Sequence, residues 1–301
     1  MTFILLKQVL IMLLLAGCGF ALFKTKKLSL EGNKCLGNIL IYLSLPCVII
    51  NGFQVERTRE RIIGFAISAL LAAVLLAMAI LVSRVIFKKD AIATFASSFS
   101  NPGFFGVPII VSCLNNGAVF YIASFIAFLN MLQWTYGVSL MKGGKEKLSI
   151  QRVLKAPFMV GIIIGLIFFF TGLPMPELIG KAIGHLAGIN TPLAMFTIGV
   201  YMAQMDVKDL VKRTSLYMVA LFRLIIIPLI ALGILTLLPA QYYEMKIALL
   251  IAIACPVGSN VAVYAQLHNC DYAYSVETVI VSTFLAVVTM PLIVQLATMI
   301  W

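Results

Sequence analysis

Apolar stretches of membrane-crossing length follow one another along almost all of this chain, separated only by short polar joints. A helix needs about 20 apolar residues to cross a bilayer. Ten such stretches can be read, at 3–23, 34–54, 62–87, 91–113, 117–140, 157–174, 178–204, 214–238, 245–266 and 274–299. Of the 301 residues, 62% are hydrophobic and 11% charged, whereas a soluble domain carries about a quarter charged residues. The mean hydropathy is +1.08, and no polar run is long enough for a soluble domain. The expected fold class is an all-α polytopic membrane protein with ten transmembrane helices.

The formal charge of +11 follows from where the basic residues sit, not from a nucleic-acid partner. Fifteen basic residues fall in the joints after spans 1, 3, 5 and 7, and six on the opposite side. Basic joints stay in the cytoplasm, so these joints are expected inside and both termini outside, in the cell membrane. The joint Glu56–Arg61 pulls weakly the other way, its two Glu interrupting the positive run. Leu15-Ala16-Gly17-Cys18 resembles a lipoprotein cleavage box, but further apolar spans follow it instead of a polar tether. The first stretch carries only Lys7 and lacks the basic lead of a signal peptide. The six cysteines show neither paired nor metal-ligand spacing and lie mostly inside apolar stretches, where Cys acts as a small hydrophobe. No disulfide, metal or other cofactor is expected.

Two spans are interrupted by helix breakers. One reads Ser100-Asn101-Pro102-Gly103-Phe104-Phe105-Gly106-Val107-Pro108 and the other Ala254-Cys255-Pro256-Val257-Gly258-Ser259-Asn260. Lipid offers no hydrogen-bond partners, so irregular backbone survives at membrane depth only inside protein or beside a cavity. Leu45-Pro46 and Thr191-Pro192 are 146 residues apart, and Pro102 and Pro256 are 154 apart. This order of breaks divides the chain into five spans in 1–140, a cytoplasmic linker at 141–156, and five spans in 157–301. Five is odd, so matching spans cross in opposite directions, which makes an inverted 5+5 repeat. Paired interruptions of this kind are the sequence mark of a secondary transporter's binding site.

Pro102, Gly106 and Pro108 in the first break, with Gly103, and Pro256 and Gly258 in the second, are expected to unwind the middle of their spans. Half-helix N-termini would then aim partial positive charge at the gap, which suits a carboxylate. Asn101, Ser259 and Asn260 supply polar groups at that depth. Pro46, Pro192, Pro228 and Pro291 lack adjacent Gly and read as packing kinks. Arg223 lies nine residues into span 8, roughly 13 Å deep, and the eleven acidic residues all fall in joints or near span ends. It is expected to meet either the freed carbonyls of a broken helix or the substrate anion. Asp271 and Glu277 are the acidic candidates for proton coupling, while His185 and His268 sit at span ends. Whether Na+ or H+ is the coupling ion stays open. Asn130, Gln133, Thr135 and Tyr136 in span 5, and Thr278, Ser282 and Thr283 in span 10, read as interhelical packing groups.

The segments Asn101–Pro108, Thr191-Pro192-Leu193-Ala194-Met195 with Gly199, Arg223-Leu224 with Pro228, and Pro256–Asn260 resemble the auxin efflux carrier family, in this order and over essentially the whole chain. The resemblance implies ten helices whose broken fourth and ninth members cross at the substrate site. It further implies a scaffold from helices 1, 2, 6 and 7 and a moving unit from helices 3–5 and 8–10, similar to bile acid symporter and sodium/proton antiporter folds. Family members carry a crossing proline in each broken helix; Pro108 matches the first, and Val261 stands at the second. The long cytoplasmic loop of plant auxin exporters is missing, so a small carboxylate is the better substrate. The expectation is a secondary carrier of small organic anions, with lipid as its surroundings and room for a homodimer. A channel or ligand receptor on a carrier-like fold is the alternative; no constellation for an enzyme is present.

Overall fold

The computed structural model describes residues 2–143, 156–204 and 213–301, and its elements are helical. Among these residues no β-strand forms. Among the described residues seven helices are long and apolar enough to cross a membrane: Phe3–Lys24, Leu30–Gly52, Arg59–Phe87, Val119–Met141, Glu177–Ala203, Thr214–Thr236 and Tyr272–Ile300. The shorter helices Pro102–Cys113 and Pro157–Thr171 are also apolar. Ala91–Ser98, Tyr243–Ala254 and Asn260–Leu267 complete the framework. Most of the 141–156 linker, Lys208 and Lys212 lie outside the described residues.

Polar caps set several helix starts. Ser29, Thr58, Asp90 and Asp271 each accept a backbone N–H from the first turn that follows, at 2.9–3.2 Å, which satisfies a donor that has no partner within the helix. At the other end, Pro157–Thr171 stops three residues short of its predicted limit. Gly172 there takes φ +70° and its N–H returns to the Phe168 carbonyl, a left-handed cap that glycine adopts without steric cost.

Pro46 and Pro228, like Pro108 of the first interruption, do more than kink their helices. π-Helical turns at Leu40–Ser44, Pro102–Gly106 and Phe222–Ile226 end two residues before Pro46, Pro108 and Pro228 respectively. Proline offers no N–H and its ring crowds the carbonyl one turn back; a wide turn relieves that clash. Pro192 needs no such relief, since it stands in the first turn of Asn190–Ala203, where N–H groups lack intrahelical partners anyway. Pro291 stays within the continuous Tyr272–Ile300 helix. A fourth π-turn, Gln133–Gly137, has no proline behind it.

Small residues let the helices approach closely. A Cβ on Gly199 would run into the Ala16 carbonyl, and one on Gly19 into the Phe196 carbonyl. Thr2–Lys24 and Asn190–Ala203 are thus packed backbone to backbone. In the same way Gly161 and Gly165, one turn apart, face Pro46 and Phe53: added Cβ atoms would sit 2.8 Å from the Pro46 oxygen and 2.5 Å from the Phe53 ring. Close approach at small residues is how helices associate in lipid, where apolar burial between them gains little. Phe53, Phe65, Phe120 and Phe169 stack beside this seam with ring centroids 4.8–5.7 Å apart.

Candidate functional site

Helical winding stops at residues 99–101 and again at 255–259, and the two irregular segments lie against each other. Ser100 and Val257 form an antiparallel bridge. The Asn101 N–H donates to the Pro256 carbonyl and the Gly258 N–H to the Phe99 carbonyl, both at 3.0 Å. The Val257 N–H goes to the Ser282 hydroxyl, also at 3.0 Å. Three donors that unwinding exposes are therefore satisfied, two across the pair and one by Ser282 of Tyr272–Ile300, in line with what buried backbone requires. Gly258 permits the approach, because a Cβ there would stand 2.9 Å from the Ser100 oxygen.

The unwound stretch of the first interruption is shorter than the sequence suggests. Pro102–Gly106 is wound as a π-turn, and Pro108 stands at the start of Val107–Cys113. Pro102 opens the renewed helix at a position that needs no N–H, so the loss of winding falls on the three residues before it. Pro108 offers no N–H to the turn behind it, and the Gly103 carbonyl instead accepts from Asn190 Nδ2 at 3.0 Å.

Four helix ends meet here. Ala91–Ser98 and Tyr243–Ala254 present their C-terminal carbonyls, and there Arg223 is found. The Phe222–Ile226 π-turn carries it into the protein, where it is fully buried. Its Nη1 donates to the carbonyls of Ser97 (2.9 Å) and Ser98 (3.1 Å), and its Nη2 to that of Ile253. A guanidinium between two helix C-termini offsets their partial negative charges. Of the two partners foreseen for Arg223, the structure thus provides the carbonyls, and the residue lies outside the cavity described next.

The opposite ends, the N-termini at Pro102 and Asn260, border a cavity of about 420 Å³. Asn101, Pro102, Gly103, Gly258, Ser259 and Asn260 line it, while Gly106, Pro108 and Pro256 do not. Asn260 Nδ2 donates to Gln133 Oε1 at 2.7 Å, and the Gln133 Nε2 is buried without a partner. Tyr42, Phe104, Trp134, Phe158 and Tyr264 supply aromatic wall, and among the described residues no charged side chain lines the cavity. Its polar groups are helix ends and side-chain amides.

Gln133 and Asn130, read from sequence as packing groups, belong to this wall. Ile126, Leu129, Asn130, Gln133 and Trp134 line it together, spaced as one face of a helix; that spacing was the available signal. Thr135 bonds back to the Met131 carbonyl at 2.7 Å. Thr278 and Thr283 likewise bond within their own helix, at 2.7 Å each. The two acidic candidates share a cation: Arg213 Nη1 is 2.9 Å from Glu277 and 3.7 Å from Asp271. Neither acid lines the cavity, nor do His185 and His268. Among the described residues no group of three or more His, Cys, Asp or Glu side chains is placed to hold a metal ion.

A second cavity, of about 310 Å³, lies toward the other end of Leu30–Gly52, beside Asn51, Val107, Pro108, Gly184 and Asn190. The Asn190–Gly103 bond stands between the two spaces, and Ser44 fastens the same region through a 2.8 Å bond to the Leu186 carbonyl.

Sequence comparisons place the chain among membrane transport proteins. The profile described as "Membrane transport protein" matches residues 4–294. This chain belongs to that family, the auxin efflux carrier family. It is 26% identical over 201 residues to an uncharacterised transporter of Methanothermobacter thermautotrophicus, covering 66% of this chain and 65%, just under two thirds, of that relative's length. It is 24% identical over 277 residues to a Rhizobium meliloti protein provisionally named a malonate transporter, covering 86% of this chain and 85% of that one. An uncharacterised transporter of Methanocaldococcus jannaschii is 24% identical over 269 residues, covering 84% and 86%. The protein is thus a multi-pass member of a membrane transporter family, and family and relatives alike indicate a transporter, not an enzyme.

Proposed function

We propose that this chain is a secondary carrier of small organic anions, mono- or dicarboxylates, that works by alternating access. The observation that carries the reading is the sorting of helix ends. Two N-termini border an uncharged, amide-lined cavity, while two C-termini are discharged by Arg223, which does not line it. The potential left in the cavity favours an anion. Asn101, Gly103, Ser259 and Asn260 are the proposed ligands, with Gln133 added. The name of the Rhizobium meliloti relative points to the same class of substrate.

In this reading the helices form ten spans in an inverted 5+5 repeat, with the interrupted spans 4 and 9 crossing at the site. Spans 1, 2, 6 and 7, with their glycine-mediated contacts, are the fixed scaffold, and spans 3–5 and 8–10 move. Two cavities toward opposite ends of Leu30–Gly52, separated at Asn190, suit a path open to one side at a time. With both termini outside the cell membrane, the larger cavity faces the cytoplasm.

The test is counterflow in proteoliposomes preloaded with malonate, malate or an indole acid. A carrier gives saturable, trans-stimulated uptake of one class, reduced in Asn101→Ala and Asn260→Ala. Loss of one hydrogen bond to a charged ligand costs about 1.5–3 kcal/mol, roughly ten- to a hundred-fold in affinity. Flux that rises linearly with concentration makes the chain a channel, and binding without flux makes it a receptor.

A further inference from the structure

The carbonyls around Arg223 are an unusual place for a side chain. Those of Ser97 and Ser98 end one helix and that of Ile253 ends another, and all three converge on one guanidinium with no exposed surface. Converging carbonyls at half-helix C-termini are the donor set with which ion-coupled carriers hold a mobile cation. Among the described residues no carboxylate forms an ion pair with Arg223, so the carbonyl ends are its counter-charge. The Nε is buried and has no partner. The group is therefore not held by a full match of donors to acceptors; what it supplies at this point is charge.

We infer that Arg223 is a tethered cation occupying a monovalent-cation site built from the ends of Ala91–Ser98 and Tyr243–Ala254. Sodium has no vacancy at these carbonyls while Arg223 stands there. A proton has no role at this point either, because a guanidinium keeps its charge at any working pH. The ends that a coupled carrier discharges on each cycle with an ion from solution are discharged here permanently. Any coupling ion must bind elsewhere.

Removing the side chain should convert the position into a site for a free cation. Wild type and Arg223→Ala, purified in detergent, are melted in sodium, potassium, guanidinium and choline chlorides at one matched, sub-denaturing concentration. The wild type supplies the reference shift in each salt, which contains any ion bound elsewhere and the general effect of guanidinium, and the variant is read against it. Arg223→Ala is expected to melt about 5–10 °C lower in choline, the scale of three buried carbonyls left without a donor. Sodium or guanidinium should restore at least half of that loss, with a saturating dose dependence. If the variant melts with the wild type in choline, or if no small cation outperforms choline, the inference fails. A wild type stabilised selectively by sodium, through the same three carbonyls, overturns it too.

Should Arg223→Ala not fold, Arg223→Lys and Arg223→Gln decide. Lys is expected to melt within a few degrees of the wild type and Gln well below it; equal melting overturns the inference. Stability is the readout throughout, so a chain that transported nothing would still answer, and the carrier reading stands or falls separately on counterflow.

Discussion

Gly258→Ala tests whether the contact between the two interruptions is as tight as its geometry says. The new methyl would stand 2.9 Å from the Ser100 oxygen and 3.4 Å from the Phe99 oxygen, both backbone atoms that cannot swing aside. Inserting a methyl into a filled space typically costs about 1–3 kcal/mol. Parting the segments to make room would also lengthen the Gly258–Phe99 and Asn101–Pro256 bonds, each 3.0 Å now, and a buried donor left unsatisfied costs about 1–3 kcal/mol. The two effects trade against each other, because a shift that relieves the first creates the second. The expected loss is therefore about 2–4 kcal/mol, a melting temperature lower by about 4–10 °C. Gly233→Ala is the control: it lies in Ile227–Thr236, and an added Cβ meets nothing within 4 Å. It should be neutral or gain up to about 1 kcal/mol from helix propensity. Both variants would be melted in detergent and assayed for counterflow. If Gly258→Ala melts with Gly233→Ala and transports normally, the close pairing of the segments is refuted.

Gln133→Leu removes the acceptor for Asn260 together with an unpartnered donor; it should leave melting nearly unchanged while weakening carboxylate affinity roughly ten-fold, as read by ligand-induced thermal shift. Asn190→Ala orphans the Gly103 carbonyl and should lower stability by about 1–3 kcal/mol; unaltered melting would mean that this bond does not hold the two cavities apart. For orientation, a cysteine at Gly144, which lies outside the described residues, in a background without native cysteines should react with an impermeant reagent only after cells are opened. Labelling of intact cells would invert the topology.

Much of this site could be read from the sequence because its causes are covalent. Pro102, Pro256 and Gly258 change what the backbone can do wherever they occur, so the interruptions announce themselves. The partner of Arg223 could not be chosen in advance, because its acceptors are carbonyls and every residue has one. Pro228 looked like an ordinary kink, although the π-turn ahead of it is what carries Arg223 inward. Asn130 and Gln133 were legible as polar but not as cavity wall. An amide on a continuous helix looks the same whether it faces a neighbour or an opening, and only the recurrence at 126, 129, 130, 133 and 134 separates the two. Glu277 follows the polar joint closely in sequence, yet its side chain is buried beside Arg213, since the last helix starts at Tyr272 and has already turned inward.

The Arg223 bonds also constrain how the chain is made. Ser97 and Ser98 emerge early in synthesis, while the guanidinium that serves their carbonyls lies 126 and 125 residues downstream. The Phe99 carbonyl and the Asn101 N–H wait longer still, for Gly258 and Pro256. Until then the N-terminal half would hold open carbonyls in the hydrocarbon, at several kcal/mol each. The first interruption must therefore stay at the bilayer surface, or beside the insertion machinery, while the second half is translated. Expressed alone, residues 1–143 should be degraded or remain protease-accessible near Ser100, and co-expression of the remainder should protect them. The joint that holds the two halves together can form only once most of the second half has been made.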